Sequence, residues 1–306
     1  MKLQQLEIVL EIVKNGFHIS AAARALHTSQ PGVSRQLQML ESELGFPVFA
    51  RTRNHIDGLT EAGEIVADIA RRVTGDLETL KNLEDHILAA DKGTLTIATT
   101  HTHASYVLPK VIASFIRAYP DVQVIMRQGD PDEVSKLVQD GEADLAVSSE
   151  SQKDFPDLVK LPCFALPRVL VTPNDHPLTK VKQLQIEDIA RYPILTYDHH
   201  FSGYWKVMKA FQSVNLTPRI VLSAIDAGVC KTYVEMGLGI AILAEITVVP
   251  ERDVGLTAIP VSHLFESSTT YVKLRPSAYP RRYLLSFIER IAPRLTPDVV
   301  RSHLRT

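Results

Sequence analysis

Two groups of residues in this chain have the types and spacing that recognition chemistry needs. The first lies in TSQPGVSRQLQMLESELG, residues 28–45. Ser29 is placed to cap a helix, and Pro31 falls in its first turn, where a missing N–H costs nothing. Val33, Leu37 and Leu40 then point one way at helical spacing, while Gln30, Ser34, Arg35 and Gln38 point the other. Those polar side chains can hydrogen-bond to base edges or hold phosphates in a major groove. Arg51, Arg53, Asn54 and His55 follow as a small basic loop suited to a phosphate backbone. A plain helical hairpin with a solvated face would share single features of this stretch. The capped break, the Pro in the first turn and the basic loop together point to DNA.

The second group is Thr99-Thr100-His101-Thr102-His103, between the run TLTIAT and a helical pattern from about Ala104. Hydroxyls and free backbone N–H groups at such a helix start can bind an oxyanion such as sulfate. An ordinary capped helix start reads the same from this run alone. A His103 imidazole beside an oxyanion would add a charge-assisted bond if protonated; the alternative is a neutral, solvent-facing ring. His101, His103, His199 and His200 are metal-ligand types, but no third ligand has a defined spacing, and no metal site is expected. The chain has no GxSxG elbow, Walker loop or GxGxxG run, and no supported Cys–His arrangement. No catalytic residue, cofactor or enzyme activity is expected.

The elements that would position these groups fall into three zones. Residues 1–58 are helix-rich with no convincing strand; Ser20 and the Ala-rich ISAAARA mark a slim helix ahead of the TSQP break. Residues 59–89 read as one long helix, with Ile65, Ile69, Val73, Leu77, Leu80, Leu83 and Ile87 mostly three or four apart and Thr60 as its cap. From Thr94 onward, β-branched runs alternate with helical segments at 104–118, 131–140, 202–214, 226–236 and 280–292. That alternation implies βαβ units around mostly parallel sheets. Two subdomains fit, with the chain crossing between them near 163–167 and 262–268. Tyr197, His199, Phe201 and Trp205 are expected to line or lid the cleft between them.

Composition excludes several classes. The chain has 306 residues, 45% of them hydrophobic, which is ordinary globular usage. No apolar run approaches the length of a membrane span and no signal peptide is visible, so a cytoplasmic location is expected. Cys163 and Cys230 read as buried thiols. Taken as a total, the net charge of −2 argues against a DNA-binding protein. Its distribution answers this: six basic against five acidic residues over 1–60, three against seven over 61–90, and 24 against 23 beyond.

TSQPGVSRQLQMLESELGFPVFAR closely resembles the winged helix-turn-helix signature of LysR-type transcriptional regulators. MKLQQL, IATTHT, LPKVI, NDHPL, TPRIV and KTYVEMGLGI extend the resemblance along the chain to the CysB/Cbl sulfur-metabolism branch of that family. The resemblance implies an α/β protein: a winged helix-turn-helix over 1–58, a linker and dimerisation helix over 59–90, and an inducer-binding domain over 91–306. That domain would be two Rossmann-like halves of periplasmic-binding-protein type, 91–163 with 268–306 and 164–267. It further implies that Thr100, Thr102, His103, Ser149, Glu150 and Ser202 lie where the family binds its effector. Position 103 is His where relatives carry Gln, Ser149 and Ser202 replace threonines, and Leu166 stands where a tryptophan is expected, so a different or larger sulfur compound is expected to fit.

The expected partners are double-stranded promoter DNA and a small anionic inducer of the sulfate, thiosulfate, sulfite, sulfonate or acetylserine class. A second copy is expected too, in a homotetramer built as a dimer of dimers. RNA polymerase is a further partner the family allows. A regulator of another pathway with an organic-acid inducer, and a small-anion-binding protein that leaves DNA alone, are the competing readings.

Overall fold

The computed structural model describes all residues except 53–54, 82–90, 277–279 and 305–306. The chain forms two compact units, Met1–Leu88 and Ala89–Thr306.

The first unit packs helices α1 (Leu3–Lys14), α2 (Ile19–Ala25) and α3 (Gln30–Leu44) with the start of α4 (Glu61–Lys81). Val9, Ile12, Val33, Leu37, Leu40 and Val48 are its buried centre. His18 holds the N-cap position of α2 without a side-chain cap bond, and Ser20, a cap candidate by residue type, lies inside the first turn. The break after α2 is a Schellman closure: Thr28 N bonds to Ala23 O and His27 N to Arg24 O. It puts His27 at φ 51°, a conformation usually left to glycine. Contrary to the expectation of no strand, β1 (Phe49–Thr52) and β2 (His55–Leu59) form an antiparallel hairpin. Only Phe49 and Ile56 of these strands are buried, too little alternation to show in the sequence. Of the long helix expected over 59–89, residues 82–89 lie outside the described residues; α4 accounts for the rest.

The second unit holds two five-stranded mixed sheets. The first runs β4 (Val122–Gln128), β3 (Gly93–Thr99), β5 (Leu145–Ser148), β12 (Ser268–Leu274), β6 (Val159–Leu166). The second runs β11 (Leu256–Pro260), β7 (Arg168–Pro173), β10 (Ile240–Ala244), β8 (Ile194–Tyr197), β9 (Ile220–Ala224). In each, three neighbouring strands are parallel, and antiparallel partners complete the sheet. Helices α5 (Leu108–Ala118), α6 (Pro131–Gln139) and α10 (Arg282–Ile291) serve the first sheet. Helices α7 (Ile186–Ala190), α8 (Ser202–Ser213) and α9 (Ala227–Glu235) serve the second, and α11 (Pro297–Leu304) packs on α10. A π-helical turn, His103–Val107, leads into α5. The chain passes from the first sheet to the second at Pro167, within the stretch 163–167, because β6 stays paired with β12 as far as Leu166 opposite Ser268. Cys163 and Cys230 are free and buried, and burial pushes their thiols up to about 11 and about 12.

Candidate functional site

On the first unit, Ser29 caps α3 by accepting from Gly32 N at 3.3 Å, with Pro31 in the first turn. Val33, Leu37 and Leu40 are buried against α1 and α2. That anchoring leaves Gln30, Arg35 and Gln38 exposed and Ser34 half-buried on the opposite face. Arg51 projects from β1 but is not free: its Nη2 pairs with Glu41 Oε2 at 2.8 Å. Glu41 Oε1 meanwhile accepts from Val48 N and Phe49 N, tying the hairpin to α3. Arg53 lies outside the described residues.

In the second unit, a pocket of about 30 Å³ sits where the carboxyl ends of β3, β5, β8 and β10 converge, the place where open α/β sheets bind ligands. Thr100, Thr102, His103 and Ser149 reach it from the first sheet's strand ends, and Ser202 from the start of α8. Tyr197 and Phe201 line it as expected. His199 and Trp205 do not; the His199 carbonyl instead accepts from Gln152 Nε2 at 2.6 Å, across the two subdomains.

Three findings depart from the sequence reading. His103 is neither protonated nor solvent-facing. Its Nδ1 bonds to Thr100 Oγ1 at 2.7 Å and its Nε2 to Thr270 Oγ1 at 2.9 Å. Burial, with the Lys273 ammonium nearby, pushes the imidazole down to about 4. It is a neutral spacer that orients hydroxyls. Glu150 is not in this pocket: its Oε1 accepts from Lys206 Nζ at 2.8 Å and Thr269 N at 2.9 Å, and it lines a neighbouring cleft. The cation of the pocket is Arg168, which sequence reading missed because RVLVTP reads as a plain buried strand. Arg168 is 2% exposed, its Nη2 donates to Ser268 Oγ, and its Nε is buried without a partner. Burial lowers its pKa from the ordinary value, opposed by Tyr197 and the Glu150 and Glu266 carboxylates. Ser268 also meets Ser202 Oγ at 2.7 Å.

The pocket thus offers a guanidinium and several rotatable hydroxyls, with no carboxylate in its lining and an apolar wall of Leu166, Phe201 and Ala244. Such a set suits an ionised oxyanion and supplies no activated nucleophile. Asp198, His199 and His200 bring three donor atoms within 4.8 Å of one another, supplying the third ligand type the sequence did not reveal. Both rings are exposed, and Asp198 Oδ1 already bonds to His200 Nδ1 at 2.6 Å. Among the described residues no helix is long and apolar enough to cross a membrane.

Comparison with known proteins bears on both units. The bacterial regulatory helix-turn-helix protein, lysR family, matches residues 3–64, and the LysR substrate binding domain matches residues 89–296. The chain is 44% identical over 305 residues to the HTH-type transcriptional regulator CysB of Burkholderia cenocepacia, covering 100% of this chain and 97% of that one. It is 42% identical to the regulator SsuR of the same organism, over 100% of this chain and 99% of that one. The crystal structure of the cofactor-binding domain of the Cbl transcriptional regulator superposes with a TM-score of 0.67 at 38% identity, covering 70% of this chain and 95% of that chain. With a helix-turn-helix head, a two-sheet ligand-binding unit and full-length similarity to regulators, the chain belongs to the LysR family of DNA-binding transcriptional regulators.

Proposed function

We propose that this regulator reads a small sulfur-containing anion in the pocket between its two sheets and adjusts its grip on promoters of sulfur-assimilation or sulfonate-utilisation genes. The observation that carries the ligand class is the buried Arg168 guanidinium among Thr100, Thr102, Ser149, Ser202 and Ser268. The small volume favours a tetrahedral oxyanion head, as in sulfate, thiosulfate, sulfite or a sulfonate, over an acetylserine. Leu166 and Phe201 offer an apolar surface for a short organic tail. Resemblance to the sulfur-metabolism branch directs the choice of sulfur over other oxyanions.

An anion held by donors from both subdomains favours the closed arrangement. It alters DNA binding only to the extent that it binds one arrangement better than the other. Gln30, Ser34, Arg35 and Gln38 on α3 are proposed to meet base edges, Ser29 and Pro31 to set the helix start against a phosphate, and Arg51 and Arg53 to meet the backbone beside it. A dimer of dimers is proposed for the assembly; exposed Ile65, Ile69 and Leu80 along α4 support a helix that seeks a partner.

The test separates the two ends of the protein. Arg35→Ala should weaken promoter binding in a mobility-shift titration while leaving anion binding unchanged. Thr102→Ala should reduce the calorimetric affinity for sulfate, thiosulfate, sulfite or methanesulfonate while DNA binding persists. Equal affinities for all four anions in Thr102→Ala and parent would place the effector elsewhere.

A further inference from the structure

A second, larger cleft of about 290 Å³ is lined by Glu150, Ser151, Gln152, Lys153, Asp154, Lys160, Tyr271 and Lys273. Lys273 lies within β12 and is 1% exposed. Its Nζ donates to Ser135 Oγ at 2.8 Å and to Ser151 Oγ at 2.5 Å. Both hydroxyls reach the Pro131 carbonyl and one another, which gives their protons acceptors and leaves their oxygens to accept from the ammonium. An ammonium has three N–H donors, and the third has no partner among the described residues. No carboxylate there lies within ion-pair distance of it. Glu150 is engaged by Lys206, and Asp154 by Lys160 at 2.7 Å.

A buried lysine charge is ordinarily matched by a carboxylate, since neutral hydroxyls offset only part of its lost hydration. The register makes the imbalance worse. Lys273 pairs directly opposite Lys160 on the antiparallel strand β6, and like charges in that position repel. An anion between the two ammonium groups would relieve both costs, and the cleft has room for one of several non-hydrogen atoms. Lys153 adds a third cation to its lining.

We propose that this cleft is a second anion-binding site, in which a small multivalent oxyanion bridges Lys273 and Lys160. A dicarboxylate and inorganic phosphate share that chemistry. The site does not depend on the reading of the first pocket. Burial, with repulsion from Lys160, pushes the Lys273 ammonium down to about 8, while Asp132 and Glu150 oppose this and His103 lies near it as a neutral ring. Ser135 and Ser151 face it as neutral groups. Affinity should therefore fall as pH rises from about 7 to 9 and the charge is lost.

The experiment titrates the full chain by calorimetry with succinate and, separately, with inorganic phosphate, at fixed ionic strength set by chloride. At least one should bind the parent with a Kd below about 5 mM. Lys273→Met should weaken that binding about tenfold or more, and Thr102→Ala should leave it unchanged. Should Lys273→Met fail to fold, the surface pair Lys153→Ala with Lys160→Ala should cost about threefold or more. Succinate alone binding identifies a carboxylate site, and phosphate alone a phosphate site. Absence of binding by both anions up to about 50 mM, unchanged affinity in the lysine variants, or equal loss in Thr102→Ala overturns the proposal. Sulfate titrations of Thr102→Ala report on the first pocket separately, so the two readings fail independently.

Discussion

Arg168 brings a guanidinium into the pocket wall, its Nη2 on Ser268 Oγ and its Nε unbonded, with Tyr197 lining the same pocket. A charge-assisted hydrogen bond to a bound anion is worth about 1.5–3 kcal/mol. Arg168→Met should therefore lower sulfate affinity about 10- to 100-fold by calorimetry without weakening promoter binding. His103 predicts a pH response. Its folded pKa of about 4 lies below the ordinary 6.5, so the unfolded chain takes up the proton first. Its contribution to stability is full above about pH 6.5 and is lost as pH falls toward 4, reaching about 3 kcal/mol at the limit. Thermal unfolding of His103→Gln should lose less stability than the parent between pH 6.5 and 5; parallel curves would exclude the imidazole as the cause. The threonines at 100 and 102 were legible because they adjoin one strand end. Arg168 was not, because its place depends on the chain crossing at Pro167. Glu150 follows Ser149, yet its side chain turns to Lys206 instead of the pocket.

At the scale of elements, α3 was legible because its start is local: a serine cap, a proline in the first turn and apolar residues at helical spacing. The hairpin beside it was hidden, since β1 and β2 are held by Glu41 and by the start of α4 rather than by their own alternation. That start is pinned hard. Thr60 N bonds to Val48 O, Gly63 N bonds to Thr60 Oγ1 at 2.9 Å, and a Cβ on Gly63 would stand 1.9 Å from Val48 O. Gly63→Ala should cost about 1–3 kcal/mol of head stability, read as a lower Tm for the DNA-binding unit. An unchanged Tm would show that the hairpin and α4 can part without loss. Ser29→Ala should cost less, about 1 kcal/mol, because the cap is exposed and its bond is long.

Within the ligand-binding unit as a whole, the two subdomains are held across the cleft by a few polar links. Lys206 on α8 bonds to Glu150, Glu266 and the Ser267 carbonyl, Gln152 reaches the His199 carbonyl, and Ser202 meets Ser268. Lys206 is nearly buried, so removing one carboxylate leaves a charge only partly matched. Glu150→Gln should lower the Tm of this unit by an amount corresponding to about 1–3 kcal/mol. It should also shift the emission of Trp205, the chain's one tryptophan and the neighbour of Lys206. Unaltered emission and Tm would mean that closure does not depend on this ion pair. Two α/β halves, and the stretches near 163–167 and 262–268 where the chain passes between them, were legible from strand–helix alternation. The exact residue of passage was not, because a strand in one sheet looks the same as a strand in the next.

The strand order has a consequence for how the chain is made. β12 sits between β5 and β6, yet it is synthesised after the whole of the second sheet. While the chain emerges at about 5–20 residues per second, β5 and β6 wait with unpaired edges as the second sheet completes itself first. The subdomain begun first is therefore finished only after its neighbour, and its side of the pocket takes shape only once β12 has been made.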